Sequence, residues 1–160
     1  PAAFALAQIG PDVPDAPEAL KALKAALEPK SFGNIDLPSC AARALIDLGW
    51  EREAVRAYFA GLLEYDSFVM KLDGAEGLIR LGEADAATAA LADAIGRGEA
   101  AVARKAIELM GRCGAKGDPV LPALERRLAR ERALFSTGVG ESLRTVGTPR
   151  AFALLRRYAP

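Results

Sequence analysis

One short pattern of apolar positions and glycine returns along the chain: a large apolar residue, two variable positions, a second apolar residue, then Gly. It reads Leu6-Ala7-Gln8-Ile9-Gly10, Leu45-Ile46-Asp47-Leu48-Gly49 and Leu78-Ile79-Arg80-Leu81-Gly82. Two looser copies follow, Met110-Gly111-Arg112-Cys113-Gly114 and Leu143-Arg144-Thr145-Val146-Gly147. Glycines 10, 49, 82, 114 and 147 are therefore 39, 33, 32 and 33 residues apart. A period of this length marks a repeat architecture, in which each unit buries its apolar face against its neighbours.

The register extends upstream. Eight residues before the glycines stand Ala41, Gly74, Ala106 and Val139, and twelve before stand Leu37, Met70, Val102 and Phe135. Apolar positions 12, 8, 4 and 1 residues before each glycine share one face of an α-helix. The small residues in the second of these columns let a neighbouring helix come close. The glycine ends the helix, because it takes the left-handed conformation without a Cβ clash.

A further helix is expected after each glycine, over 51–64, 84–96 and 119–133. The first carries Ala54, Val55, Tyr58, Phe59, Leu62 and Leu63; the others carry Ala87, Leu91 and Ile95, then Val120, Leu124 and Leu128. Asp118-Pro119 and Thr148-Pro149 read as an N-cap followed by proline at the first helical position, and Asp15 and Asp66 as further caps. Residues 11–17 and 29–38 read as irregular, being rich in Pro, Gly, Asn and Asp.

Composition agrees with helix everywhere. There are 34 Ala and 21 Leu against 7 Val, 6 Ile and 4 Thr, so helix formers dominate and strand formers are scarce. The expected fold is all-α, a right-handed αα-superhelix of antiparallel helix pairs, with residues 1–160 as one repeat domain. Charge is balanced, 21 Lys+Arg against 21 Asp+Glu. That argues against a mainly electrostatic binder of nucleic acid or membrane. The longest uncharged stretch is the first eleven residues, too short to span a bilayer and without the basic flank of a signal peptide.

The period narrows the family. The ankyrin signature is met only by Thr148-Pro149, and the chain has no His. Gly49, Ala54 and Tyr58, then Gly82, Ala87 and Leu91, have tetratricopeptide-like spacing, but Pro119 and Pro122 and the missing tryptophan pattern count against it. The chain resembles HEAT repeats, in the short form found in bacterial HEAT-like proteins and phycobilisome-lyase-type repeats. Ser39 through Gly49 is similar to the second-helix consensus, and Asp118-Pro119-Val120-Leu121-Pro122-Ala123-Leu124 to that of the first helix. Met70-Lys71 stands where that family often has an apolar residue and Arg, whereas Pro38, Ala103 and Ser136 break the basic ladder. Residues 1–10 read as half of a second helix and 149–160 as an unpaired first helix, so a segment of a longer protein is expected.

The chemistry of catalysis is poorly represented. Without His, the commonest general base and metal ligand is missing. Cys40 and Cys113 lie in different repeats with no CxxC, so no metal site, catalytic residue or cofactor site is expected. Cys113 reads as a core residue. The exposed side of the second helices is richer, with opposite charges four apart at Arg43–Asp47, Glu76–Arg80 and Glu108–Arg112, flanked by Asp73 and Arg104. Trp50 follows a helix-ending glycine as a candidate anchor. These nine residues form the candidate surface for a protein partner, or for the remainder of the chain's own polypeptide. The resemblance implies a non-catalytic protein–protein interaction module. A second reading is an accessory C-terminal HEAT-like domain of a larger bacterial enzyme such as a sulfatase-type hydrolase, whose nucleophile motif is absent from this chain. A third is nucleic-acid binding through the Arg-rich end, where Arg126, Arg127, Arg130, Arg132, Arg144, Arg150, Arg156 and Arg157 gather.

Overall fold

The computed structural model describes residues 16–27, 36–134 and 136–158, and over them the chain is helical with no strand. Among the described residues nine α-helices follow one another: α1 (Ala16–Leu27), α2 (Asp36–Leu48), α3 (Arg52–Leu62), α4 (Phe68–Arg80), α5 (Ala84–Arg97), α6 (Ala100–Arg112), α7 (Leu121–Arg130), α8 (Thr137–Val146) and α9 (Pro149–Tyr158). Short 3-10 turns at Gly114–Val120 and Arg132–Leu134 complete the path. The chain divides into two compact units, residues 1–59 and 60–160, with the division inside α3. Gly10, Asp15 and Phe135 lie outside the described residues, as does most of both stretches read as irregular.

The periodic glycines do what their spacing predicts. Gly49, Gly82, Gly114 and Gly147 all have positive φ, between 58° and 82°. At the first two, the amide after the glycine bonds five residues back (Trp50 N–H to Leu45 O, 2.9 Å; Glu83 N–H to Leu78 O, 2.9 Å). The glycine amide bonds three back, to Ile46 and Ile79, at 3.0 Å. These paired bonds satisfy the last carbonyls of α2 and α4 and turn the chain out of the helix.

In the first unit α1 packs on α2, and Leu23, Ala41, Leu45, Val55 and Phe59 are buried. The Ser39 and Tyr58 hydroxyls share a hydrogen bond of 2.8 Å between α2 and α3. Lys24 pairs with Glu51 at 2.6 Å. Residues 36–38 are helical rather than loop; Pro38 falls in the first turn, where no intrahelical N–H bond is lost.

The second unit is built of two layers. Second helices α4, α6 and α8 pack in succession, and so do first helices α5, α7 and α9; α5 packs on both α4 and α6, and α8 on α9. The core between them includes Leu72, Leu91, Ile95, Ile107, Met110, Leu124, Leu128 and Leu143. The columns four and eight residues before the glycines are buried, as expected (Leu45, Leu78, Met110, Leu143; Ala41, Gly74, Ala106, Val139). The column twelve before is not: Leu37 is 54% exposed, and Met70 and Val102 are half-buried. It lies in the opening turn of each helix, although Val102 still packs against the edge of the core.

Two caps differ from expectation. The residue before α4 is Ser67, not Asp66, and its side chain makes no capping bond. Pro119 lies inside the 3-10 turn, and α7 starts at Leu121 with Pro122 in its first turn. Asp118 instead accepts a hydrogen bond from the Thr148 hydroxyl. Thr148 is itself the expected cap of α9, accepting from Ala151 N–H at 3.2 Å.

Candidate interaction surface

The nine candidate residues fall in both units. Arg43, Asp47 and Trp50 belong to the first: Arg43 is half-buried, Asp47 is exposed, and Trp50 is half-buried with its amide in the α2 cap. Asp73, Glu76 and Arg80 lie on α4, and Arg104, Glu108 and Arg112 on α6.

Within the second unit, packing of α6 against α4 sets the ion pairing. Arg112 does not turn to Glu108 one turn earlier. Its Nη1 crosses to α4 and meets Glu76 Oε1 at 2.6 Å. Lys105 lies between the two carboxylates, 3.7 Å from Glu76 and 3.3 Å from Glu108. Lys105 was missed in the sequence, although its i,i+3 spacing to Glu108 is a signal. Arg104 Nε donates to Ala100 O on its own helix at 3.2 Å.

A groove of about 370 Å³ opens between α6 and α8. Arg104, Glu108 and Arg112 line one wall, Glu141 and Thr145 the other. Its floor includes Ile107, Gly111, Val139 and Ser142, all buried. The helices come close at Gly111, where an added Cβ would stand 2.9 Å from the Ser142 Cα. Glycine is required here by close approach, not by its backbone angles.

The opposite layer is joined by polar contacts between successive first helices. Lys116 meets Asp85 at 2.8 Å, and that carboxylate raises the lysine's pKa. Arg127 is largely buried; it donates to Gly98 O at 2.8 Å and to Glu131 at 2.9 Å. It thereby supplies a donor and a cation to the carboxyl end of α5, where carbonyls lack intrahelical partners. Arg130 reaches Gly96 O at 3.3 Å, and Arg157 pairs with Glu125 at 3.0 Å. Arg132 and Arg157 both lie over the Tyr158 ring, at 5.7 and 5.4 Å. Much of the Arg-rich end is thus engaged in internal contacts.

Between α4 and α5, Arg97 binds Asp93 through two parallel donors, Nε and Nη2, the latter at 2.6 Å, and lies 6.0 Å from the Phe68 ring centroid. Lys71 reaches the same carboxylate at 3.5 Å. Arg97 holds the Asp93 carboxyl below the usual carboxylate range, against a smaller opposing effect of burial.

Cys113 donates to Leu109 O at 3.3 Å, and burial pushes its thiol pKa up to about 11. It is a packing residue with little thiolate character. Cys40 is exposed. Among the described residues no cluster of His, Cys, Asp and Glu could hold a metal ion, and no helix is long and apolar enough to cross a membrane. Comparison with protein-family models, curated proteins and solved structures finds no match for this chain.

Proposed function

We propose that this chain is a non-catalytic protein-interaction scaffold, a HEAT-like right-handed αα-superhelix whose second helices present a charged surface. The observation that carries the architecture is the spacing of the first-helix contacts. Lys116–Asp85, Arg127–Gly98, Arg130–Gly96, Thr148–Asp118 and Arg157–Glu125 join residues 29 to 34 apart. Each contact links similar places in consecutive units, as stacking of equivalent repeats requires. The function rests on the other layer. There Arg80, Arg104, Glu108 and Arg112 are exposed on rigid helices, beside a groove with an apolar floor. The mechanism is geometric: a preorganised surface loses little conformational entropy when a partner docks. The partner is another protein or the remainder of the same polypeptide.

The test is affinity purification of the full-length protein from its own cell, beside a variant with Arg80, Arg104 and Glu108 reversed in charge. A stoichiometric protein that stays with the wild type and leaves the variant, at unchanged helical content, supports the reading. Retention of every partner by the variant overturns it.

A further inference from the structure

The α4–α6 contact and the groove between α6 and α8 are built from equivalent positions, but the ion pairs that cross the first have no counterpart from α8 in the second. In the first, Glu76 stands six residues before its repeat glycine and receives Lys105 and Arg112, which stand nine and two before theirs. Its side chain is 22% exposed. In the second groove the equivalent carboxylate is Glu108, and the equivalents of Lys105 and Arg112 are Gly138 and Thr145. No cation comes from α8 to meet Glu108, which is 58% exposed and keeps only Lys105 from its own helix. Glu141 adds a second carboxylate on the opposite wall and is exposed. The Thr145 hydroxyl is turned to Glu141 O of its own helix, at 3.0 Å. The two arginines of α6 that border the groove are committed elsewhere, Arg104 to Ala100 O and Arg112 to Glu76.

We infer that the α6–α8 groove binds a lysine or arginine side chain of a partner protein, held between Glu108 and Glu141 in the place that Arg112 and Lys105 fill one repeat earlier. The inference deepens the scaffold reading and rests on it. The two facing carboxylates select a cationic head group, since the guanidinium groups of Arg104 and Arg112 on the same rim are turned to Ala100 O and Glu76. The buried Ile107 and Val139 of the floor suit the aliphatic stem, since long basic side chains lay their methylenes on apolar surface while the charge stays solvated. An arginine additionally matches a carboxylate with two parallel donors.

The experiment is an amide-shift titration of the full 160-residue chain with acetyl-Leu-Arg-Leu-amide, beside its citrulline and glutamate counterparts, at low salt. Saturable shifts centred on Glu108, Gly138, Glu141 and Thr145 are expected with arginine, weakened by salt and absent with citrulline or glutamate. The double variant G138K/T145R restores the two cations of the neighbouring groove. Gly138 has room for a side chain, with only the Ser136 hydroxyl oxygen near an added Cβ, at 3.9 Å. This variant should bind the arginine peptide at least tenfold more weakly at unchanged helical content. E108Q/E141Q should show a similar loss and serves if the first variant folds poorly. No saturable shift with the arginine peptide, equal shifts with the glutamate peptide, shifts centred elsewhere, or full binding by both variants would overturn the inference. A natural partner retained by folded G138K/T145R would also overturn it while leaving the scaffold reading intact.

Discussion

The two layers of the second unit are held by different physics. At the α6–α8 contact of the second helices small residues meet, with Gly111 against Ser142 bringing the two backbones close, whereas α4 and α6 are also bridged by the Arg112–Glu76 ion pair. The first helices are tied by long polar side chains, chiefly Arg127 reaching the carboxyl end of α5. Close apolar packing has no slack, so its cost on mutation is large. Polar ties at a surface lose most of their strength to water, and only the sheltered ones matter.

The largest effect tests the buried column four residues before the glycines. Leu78 is 1% exposed, and Leu78→Asp places an unpaired charge there. The expected loss is on the order of 4–5 kcal/mol, seen as collapse of the thermal melt; a melt like the parent's would refute the core assignment. Next comes the close approach. An alanine in an open helix site would gain up to about 1 kcal/mol over glycine. At Gly111 the added Cβ meets backbone, so G111A should instead cost about 1–3 kcal/mol by overpacking. A raised melting temperature would remove the distinction between the layers. For the polar layer, Arg127→Ala should cost about 1.5–3 kcal/mol, and Arg127→Lys should recover only part, because lysine lacks the guanidinium fork. The exposed Lys116–Asp85 tie should contribute least and fade in salt, which a double-mutant cycle measures.

Two titrations sharpen the picture with opposite signs. The depressed Asp93 carboxyl contributes stability at neutral pH that is lost as pH falls below the usual carboxylate range. D93N should flatten that acid limb of the melting profile. The Cys113 thiol, raised to about 11, works the other way. The unfolded chain releases this proton first, so stability falls as pH climbs from about 8.5. Alkylation at pH 8 should label exposed Cys40 and spare Cys113 until the chain unfolds.

Much of this arrangement was legible in the residues. The glycine period marked the helix ends, and Ala41, Gly74, Ala106 and Val139 marked the buried face, because helical geometry converts spacing directly into a face. The candidate surface was legible only as a set of exposed charges. Sequence neighbours suggested Glu108–Arg112, yet Arg112 crosses to Glu76. A guanidinium on a long stem takes whichever carboxylate its packed neighbour offers, and that neighbour is 36 residues away. Arg127 gave no sign of its tie to α5 for the same reason: the carbonyls of Ile95 and Gly98 that it meets have no sequence signature.

What the amino-acid sequence determined alone was local and periodic: helix everywhere, ends at the repeated glycines, and a face to bury. Backbone dihedral preference and a 3.6-residue period act within one helix and need no tertiary partner. Only the tertiary structure decided which helices approach closely at Gly111, which carboxylate takes Arg112, and which groove stays open. Those outcomes depend on distances between side chains some 30 residues apart, and such distances exist only once the layers have packed.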